Sequence, residues 1–287
     1  MQIKKIQKTN LDQDFLQPLK NIPDPPQTLW LQGVLPEGER PKVVSIVGSR
    51  KNTRYGEEIA YKLAYDLARH GIIVVSGMAY GIDACAHRGC LDGGGLTIAV
   101  LGTTIDHIYP ARNLQLAKRI LERGAILSEY GVGDPTGAWS FSQRNRIVSG
   151  LADAVVIVEA AARSGTSITA AHALEQGKDV FAVPGDITRP LSVGCNRLIK
   201  QGALPFTETE DILGVLFPAK AQQLKFEIFG DTESEQKIIN VIKAGLRDGD
   251  KIIEALGFST SEFNQTVTLL EIKGVIRSLG ANHWALV

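Results

Sequence analysis

The 287-residue sequence is most informative first for what it lacks. It has only three cysteines, Cys85, Cys90 and Cys195, an odd number with no CxxC spacing. That argues against a disulfide framework or a zinc site and suits a reducing cytoplasm. No apolar run reaches the roughly 18 residues that mark a membrane span. The N-terminus, MQIKKIQKTNLDQDF, lacks the apolar core of a signal peptide. Neither GxGxxG nor GxxxxGK[ST] occurs, so neither a dinucleotide cofactor nor an ATP site is indicated, and no cofactor is expected. Ser76 and Ser164 precede glycines but lack the GxSxG elbow of a hydrolase. There are no internal repeats or low-complexity tracts. Net charge is absent too: 31 Lys+Arg balance 31 Asp+Glu. Taken as a sum, neutrality argues against a nucleic-acid binder, because such proteins are often basic overall.

What is present is ordinary for a soluble globular chain: 44% hydrophobic and 22% charged residues, which excludes a disordered or fibrous protein. The length allows one large domain, or a large one with a small one. Residues 1–41 read as an irregular extension, with a turn at Asp24-Pro25-Pro26 and a short strand at 28–32. From residue 42 short apolar runs (43–47, 72–76, 97–101, 125–129, 154–159, 179–183) alternate with helical stretches (55–70, 80–92, 113–123, 166–177). This alternation predicts βαβ units, and strands apolar on both faces predict a parallel sheet covered on both sides. Residues 42–217 are therefore expected to form a Rossmann-like, doubly wound α/β domain with a mostly parallel sheet. Residues 218–230 read as a linker. In 231–287, three helical stretches precede a hairpin around Gly280-Ala281-Asn282, the pattern of a small winged-helix domain.

In an open parallel sheet, ligands bind outside the carboxyl ends of the strands. The loops there are GSRKNTRYG, SGMAYGIDACAH, LGTTIDHIYPARN, AAARSGTSITAA and VPGDITRPLSVGCNRLI, all glycine-rich with hydroxyl or basic residues. Glycine lets backbone approach a ligand, and helix-start N–H groups bind anions. Each loop alone reads as an ordinary turn; the series points to a phosphate-binding surface. Ser49 and Arg50 in GSRKNTR are candidates for a phosphate cradle. Ser164, Gly165 and Thr166 stand at a helix start, where the bland alternative is simple capping. Arg144, Asn145 and Arg146 lie between an aromatic residue and an apolar run, with structural pairing to a carboxylate such as Glu129 as the alternative. Trp139 or Phe141 is a possible stacking partner for a base, although aromatics near a loop are more often packing. Catalytic constellations are poor. His87 and His107 read as structural, and Cys85 and Cys90 as packed small hydrophobes. Glu159 is the best lone acid, with no obvious partner.

IVGSRKNTRYG, VSGMAYGIDACAH, TIAVLGTTIDHIYPARN, ILSEY, FSQRNRIVSGLADAVVIVEAAARSGTSITAAHALEQGKDVFAVPGD and GCNRLIKQGA occur in this order. Together they closely resemble the DNA-processing protein A family (DprA, also called Smf), over residues 18–217. The tail resembles that family's C-terminal winged helix more weakly. The resemblance implies a cytoplasmic, non-enzymatic protein that binds single-stranded DNA and protects incoming strands during natural transformation. It also implies loading of the RecA recombinase, promotion of annealing, and a homodimer formed through the Rossmann-like domains, with no membrane association. Carried over by motif, the implied strand-binding residues are Gly48, Ser49, Arg50, Arg54, Asn145, Arg146, Ser164, Gly165, Thr166, Asn196 and Arg197. The sequence departs from the family pattern twice. The 41 residues before the core leave no room for the N-terminal helical, SAM-like domain of many members. Ser142-Gln143 also replaces the usual proline-arginine before RNR, which removes one positive charge.

Two rival classes remain at this stage. One is a nucleotide-binding sensor module; the other is a phosphoribohydrolase-like enzyme on a related fold, with a PGGxGTxxE motif. In the comparable RSGTSIT stretch, Thr169 stands where that chemistry places a glutamate.

The neutral sum also hides a pattern. Segments 48–54, 141–150, 160–171 and 187–202 hold nine basic residues and no acid, whereas 225–287 carries seven basic and nine acidic residues. The expectation is a local basic pocket in the first domain. The acidic tail is expected to make protein contacts or weak duplex contacts.

Overall fold

The structure is a computed structural model that describes residues 3–7, 11, 15–218 and 230–286. The chain divides into two compact units, Met1–Leu216 and Phe217–Val287. Most of the stretch read as a linker, 219–229, lies outside the described residues.

In the first unit the strands are β1 Lys4–Gln7, β2 Thr28–Gly33, β3 Val43–Val47, β4 Ile73–Ser76, β5 Thr97–Leu101, β6 Ala125–Ser128, β7 Ala154–Ile157, β8 Asp179–Ala182 and β9 Leu204–Pro205. The helices are α1 Arg54–Arg69, α2 Ile82–Asp92, α3 Leu114–Leu121, α4 Ala138–Gly150, α5 Thr166–Glu175, α6 Val193–Lys200 and α7 Thr209–Leu216. The strands form one sheet in the order β1-β2-β6-β5-β4-β3-β7-β8-β9. From β6 through β9 every neighbouring pair is parallel. β2 pairs antiparallel with both β1 and β6. The chain steps from β3 outward to β6, then returns to build β7, β8 and β9 on the other side of β3. The β3–β7 junction is thus the topological switch point, where the loops leaving the strands diverge and open a crevice.

Every residue of β3 through β7 is buried, as expected for strands covered on both faces. The polar residues among them are satisfied within the core. The Ser45 hydroxyl donates to the Val148 carbonyl (2.6 Å), that of Ser76 to Ile46 (2.6 Å), and that of Thr97 to Val74 (2.7 Å). Helix α1 is capped by Thr53, whose hydroxyl accepts from the Gly56 N–H, and it buries the stripe Ala60, Leu63, Ala64 and Leu67. It packs tightly on α2 because Gly89 has no side chain: a Cβ there would lie 2.1 Å from the Tyr61 carbonyl oxygen.

Residues 1–41 are less irregular than their sequence indicates. They supply β1 and β2, a 3-10 helix at Gln17–Asn21, and core residues Leu11, Phe15, Leu16, Leu19 and Ile22. Two further segments read as loops are helices, α4 and α6.

The second unit contains α8 Glu233–Lys243, α9 Gly249–Leu256, α10 Thr260–Ile272 and the antiparallel pair β10 Ile276–Gly280 and β11 His283–Leu286. Thr232, Asp248 and Ser259 cap the three helices through their side-chain oxygens. Ile238, Ile239, Ile242, Ile252, Phe263, Val267 and Leu270 form the core. Ala281 and Asn282 both have positive φ, +48° and +58°, as the tight turn of a two-residue hairpin requires. Three helices followed by a hairpin agree with the winged-helix expectation.

Candidate functional site

A cleft of about 520 Å³ opens at the switch point between β3 and β7. Its walls are the loop after β3 (Gly48 to Lys51), the loop after β4 (Gly77 and Ala79), the N-terminal half of α4, and the loop leading from β7 into α5. Of the residues singled out in the sequence, Gly48, Ser49, Arg50, Asn145, Ser164, Gly165 and Thr166 line it together. Arg54, Arg146, Asn196 and Arg197 do not.

The loop after β3 is held by backbone. The Ile82 N–H donates to the Ser49 carbonyl (3.2 Å), and a Cβ on Gly48 would meet the Ile82 side chain at 2.6 Å. Gly81, with φ +77°, lets this contact form: a Cβ there would sit 2.3 Å from the Ser49 oxygen. Arg50 is exposed and makes no ion pair among the described residues. Its guanidinium lies over the Phe141 ring, 5.4 Å from the centroid, and Tyr109 packs edge-on against that ring at 5.6 Å. The cation is thus braced beside the cleft and available to an anion.

Helix α5 opens into the same space. Gly165 is its N-cap residue and no side chain caps it, which leaves the positive end of its dipole at the cleft, while the Ser167 and Ile168 N–H groups already donate to the Ser164 and Gly165 carbonyls (3.2 Å each). The Ser164 hydroxyl beside it is buried and has no hydrogen-bond partner. Asn145 reaches from α4 to this loop, donating to the Gly165 carbonyl at 3.4 Å.

Beneath the cleft, Arg144 is 3% exposed and donates to the Gly77 (2.5 Å) and Val100 carbonyls. Burial lowers its pKa to about 10, with Asp83 opposing the shift, so the guanidinium stays charged at neutral pH. Asp83 accepts from the Gly77 (3.2 Å) and Ala79 (3.3 Å) N–H groups. Burial pushes its pKa above the usual carboxylate range, and the charge of Arg144 pulls it back. Lys51, Phe141 and Thr169 are also among the lining residues. Sequence reasoning missed Asp83 and Lys51 as cleft residues. Asp83 is the second residue of α2 and lies within the stretch SGMAYGIDACAH, read as a loop and helix start without weighing its acid. Lys51 lies within the basic loop that was recognised, which was the available signal.

The remaining sequence candidates have other partners. Arg146 is buried, paired to Glu129 (2.6 Å) and Asp24 (2.8 Å). Arg54 pairs with Glu58 one turn along α1. Asn196 staples the loop after β8 by accepting from the Gly185 N–H (3.1 Å) and donating to its carbonyl (2.8 Å). Arg197 lines a neighbouring groove. Gln143, at the departure from the family pattern, accepts from the Tyr130 hydroxyl (3.1 Å) and stands outside the cleft lining.

Glu159 has a structural partner, accepting from the Thr53 N–H (2.9 Å) and hydroxyl (2.5 Å) at the start of α1. His87 is fully buried, donates through Nδ1 to Thr97 (2.7 Å), and is held neutral by burial, its pKa lowered to about 3. Burial raises the Cys90 and Cys195 thiols to about 12, as packed hydrophobes rather than nucleophiles. No cluster of metal-ligating side chains occurs among the described residues, and no helix there is long and apolar enough to cross a membrane.

Fold and cleft together define a Rossmann-like α/β protein with a crevice at its switch point, lined by Arg50, Lys51 and Arg144 and one acid, Asp83. Residues 7–217 match the model of the family "DNA recombination-mediator protein A", and the chain belongs to that family. It is 41% identical over 194 residues to DNA processing protein DprA of Bacillus subtilis, covering 68% of this chain and 65% of that protein. It is 44% identical over 204 residues to protein Smf of Escherichia coli, covering 70% of this chain and 54% of that one. Among solved structures, DNA processing protein A of Streptococcus pneumoniae superposes with a TM-score of 0.68 at 38% identity, covering 75% of this chain and 74% of that one. DNA processing protein A of Helicobacter pylori, solved to describe its single-stranded DNA binding mode, gives 0.66 at 29% identity, covering 76% and 97%. The chain therefore spans between about half and two thirds of these Bacillus and Escherichia relatives.

Proposed function

We propose that this chain binds single-stranded DNA by its phosphates in the switch-point cleft, with little sequence preference, and that as a homodimer it loads the RecA recombinase onto the strand. The observation that carries the reading is the convergence of three anion-binding elements on one cleft. Arg50 is free of ion pairs and braced on Phe141, the start of α5 is uncapped, and Arg144 lies charged beneath them. Family membership as a DNA recombination mediator supports it, and so does the similarity to a Helicobacter pylori protein solved for its single-stranded DNA binding mode.

In this mechanism Arg50 pairs with a phosphate through its planar fork, as guanidinium groups do. The positive end of α5 takes a phosphate without any base being read, so affinity does not depend on sequence. Phe141 orients Arg50 and offers an aromatic face to an unpaired base. Asp83, the only acid lining the cleft, is engaged with the Gly77 and Ala79 amides, an arrangement suited to holding a loop in place. Binding titrations with a labelled single strand and the matching duplex test the proposal. A clear preference for the single strand is expected, whichever sequence is used, and equal affinity for both would contradict it. RecA filament assembly on the bound strand, followed with and without the protein, tests the loading role. Light scattering tests the homodimer.

A further inference from the structure

Beside the cleft a second hollow of about 430 Å³ runs between α5 and α6. Three of the α5 positions that line it, Ser167, Ala170 and Ala171, are small, and the fourth is Leu174. Gly194 draws the start of α6 close, its N–H donating to the Ala160 carbonyl at 2.8 Å. The charged residues of this groove are Arg163 and Arg197, and no acid lines it. Both arginines are exposed, and neither has an ion pair among the described residues. Six other arginines of this unit, Arg40, Arg54, Arg88, Arg119, Arg146 and Arg189, have carboxylate partners, whereas Arg69, Arg112 and Arg123, like Arg50, have no ion pair among the described residues. Ser164, whose hydroxyl is buried without a partner, lines both the cleft and the groove and joins them.

We infer that the α5–α6 groove is a second phosphate subsite, in which Arg163 and Arg197 take the phosphates of the same strand as it leaves the cleft past Ser164. The inference rests on the reading of the cleft as a single-strand site. It adds a direction to the bound strand and gives Arg197, which lies outside the cleft, a place on the same track. Two arginines facing one unneutralised groove favour a chain of phosphates over a single isolated anion, because each guanidinium pairs bidentately with its own phosphate. A strand short enough to fill only the cleft does not engage them; a longer strand does.

The test uses the full chain with short and long oligothymidylates, titrated across salt, on wild type, Arg50→Ala, Arg163→Ala/Arg197→Ala and Arg123→Ala. Arg123 is exposed and precedes β6, at the opposite edge of the parallel sheet, so it controls for simple loss of charge. The double variant is expected to bind the short strand as wild type does. On the long strand it should lose about tenfold or more in affinity. The slope of log K against log salt should become shallower by about 1.4, for two phosphates released. Arg123→Ala should match wild type. If the double variant matches wild type on both strands, or weakens the short strand as much as the long one, the groove is not a continuation of the track. If instead Arg50→Ala is without effect while the double variant weakens the long strand, the reading of the cleft falls, and with it the groove as the cleft's continuation.

Discussion

Replacing Arg144 by methionine removes a charge from beneath the cleft while leaving most of the side-chain volume. The guanidinium is 3% exposed, holds the Gly77 carbonyl just after β4 and the Val100 carbonyl within β5, and lies near the buried carboxylate of Asp83. Its Nη2 and Asp83 Oδ2 would both fall within 2.7 Å of a Cβ on Gly77, so that residue cannot be other than glycine while the pair is intact. Arg144→Met leaves Asp83 buried without its countercharge and two carbonyls without a donor. Stranding two buried carbonyls and withdrawing the nearby charge that favours the Asp83 carboxylate costs roughly 3–5 kcal/mol. For a unit of this size, each kcal/mol lowers the melting temperature by about 2–4 °C, so the predicted fall is roughly 6–20 °C. Thermal unfolding followed by circular dichroism measures it. The pH dependence adds a signature. Asp83 titrates above the usual carboxylate range in the folded protein, so the folded state keeps this proton where the unfolded chain has released it. The group's contribution to stability therefore falls as pH rises through that window. Arg144 opposes the shift, so its removal should be more damaging above that window than below it. Adding Asp83→Asn removes the stranded charge and should recover part of the loss, a coupling of about 1–3 kcal/mol. A single variant within about 1 kcal/mol of wild type, or strictly additive losses in the double variant, would refute the reasoning.

Further outcomes follow from other residues. Arg146→Ala breaks the pairs to Glu129 and Asp24 and should cost roughly 3–5 kcal/mol in urea unfolding, whereas Arg50→Ala, at an exposed position, should stay within about 0.5 kcal/mol. Gly89→Ala drives a methyl group against the Tyr61 carbonyl and should destabilise by roughly 1–3 kcal/mol, read as a lower urea midpoint. His87 is held down to about 3 from an ordinary 6.5, so the unfolded chain takes up a proton first on acidification. Its stabilising contribution is complete above about 6.5 and is lost as pH falls toward about 3. His87→Asn should flatten the stability–pH curve between about pH 4 and about pH 6, by at most about 1.4 kcal/mol per pH unit.

The parallel strands were readable because burial on both faces turns them into plain apolar runs such as VVSIV and TIAVL. The hairpin turn was readable because Gly280-Ala281-Asn282 carries the chemistry of positive φ. Helix α4 was not, because it buries Ser140, Arg144, Arg146 and Ser149 along with Ile147 and Val148 and so shows no apolar stripe. Strand β1 was missed because only Ile6 of its four residues is buried. At the site, motif order brought seven of eleven candidates to one cleft. What separates Arg50 from Arg146 is long-range: Asp24 and Glu129, 122 and 17 residues away in sequence, converge on the second arginine and leave the first free. The sequence signals that basic residues are present; only the packing shows which of them lack a carboxylate. Zero net charge is thus compatible with a local anion site, since the acids are spent in pairs elsewhere.

The central claim is that Arg50 at the switch-point cleft holds a phosphate of single-stranded DNA. The most direct measurement is the affinity of wild type and Arg50→Ala for one oligonucleotide across a range of salt concentrations. Loss of one charge-assisted contact predicts a weakening of about 1.5–3 kcal/mol, or roughly ten- to a hundredfold. It also predicts a salt slope shallower by about 0.7. Equal affinity and an unchanged slope for the two proteins would contradict the account.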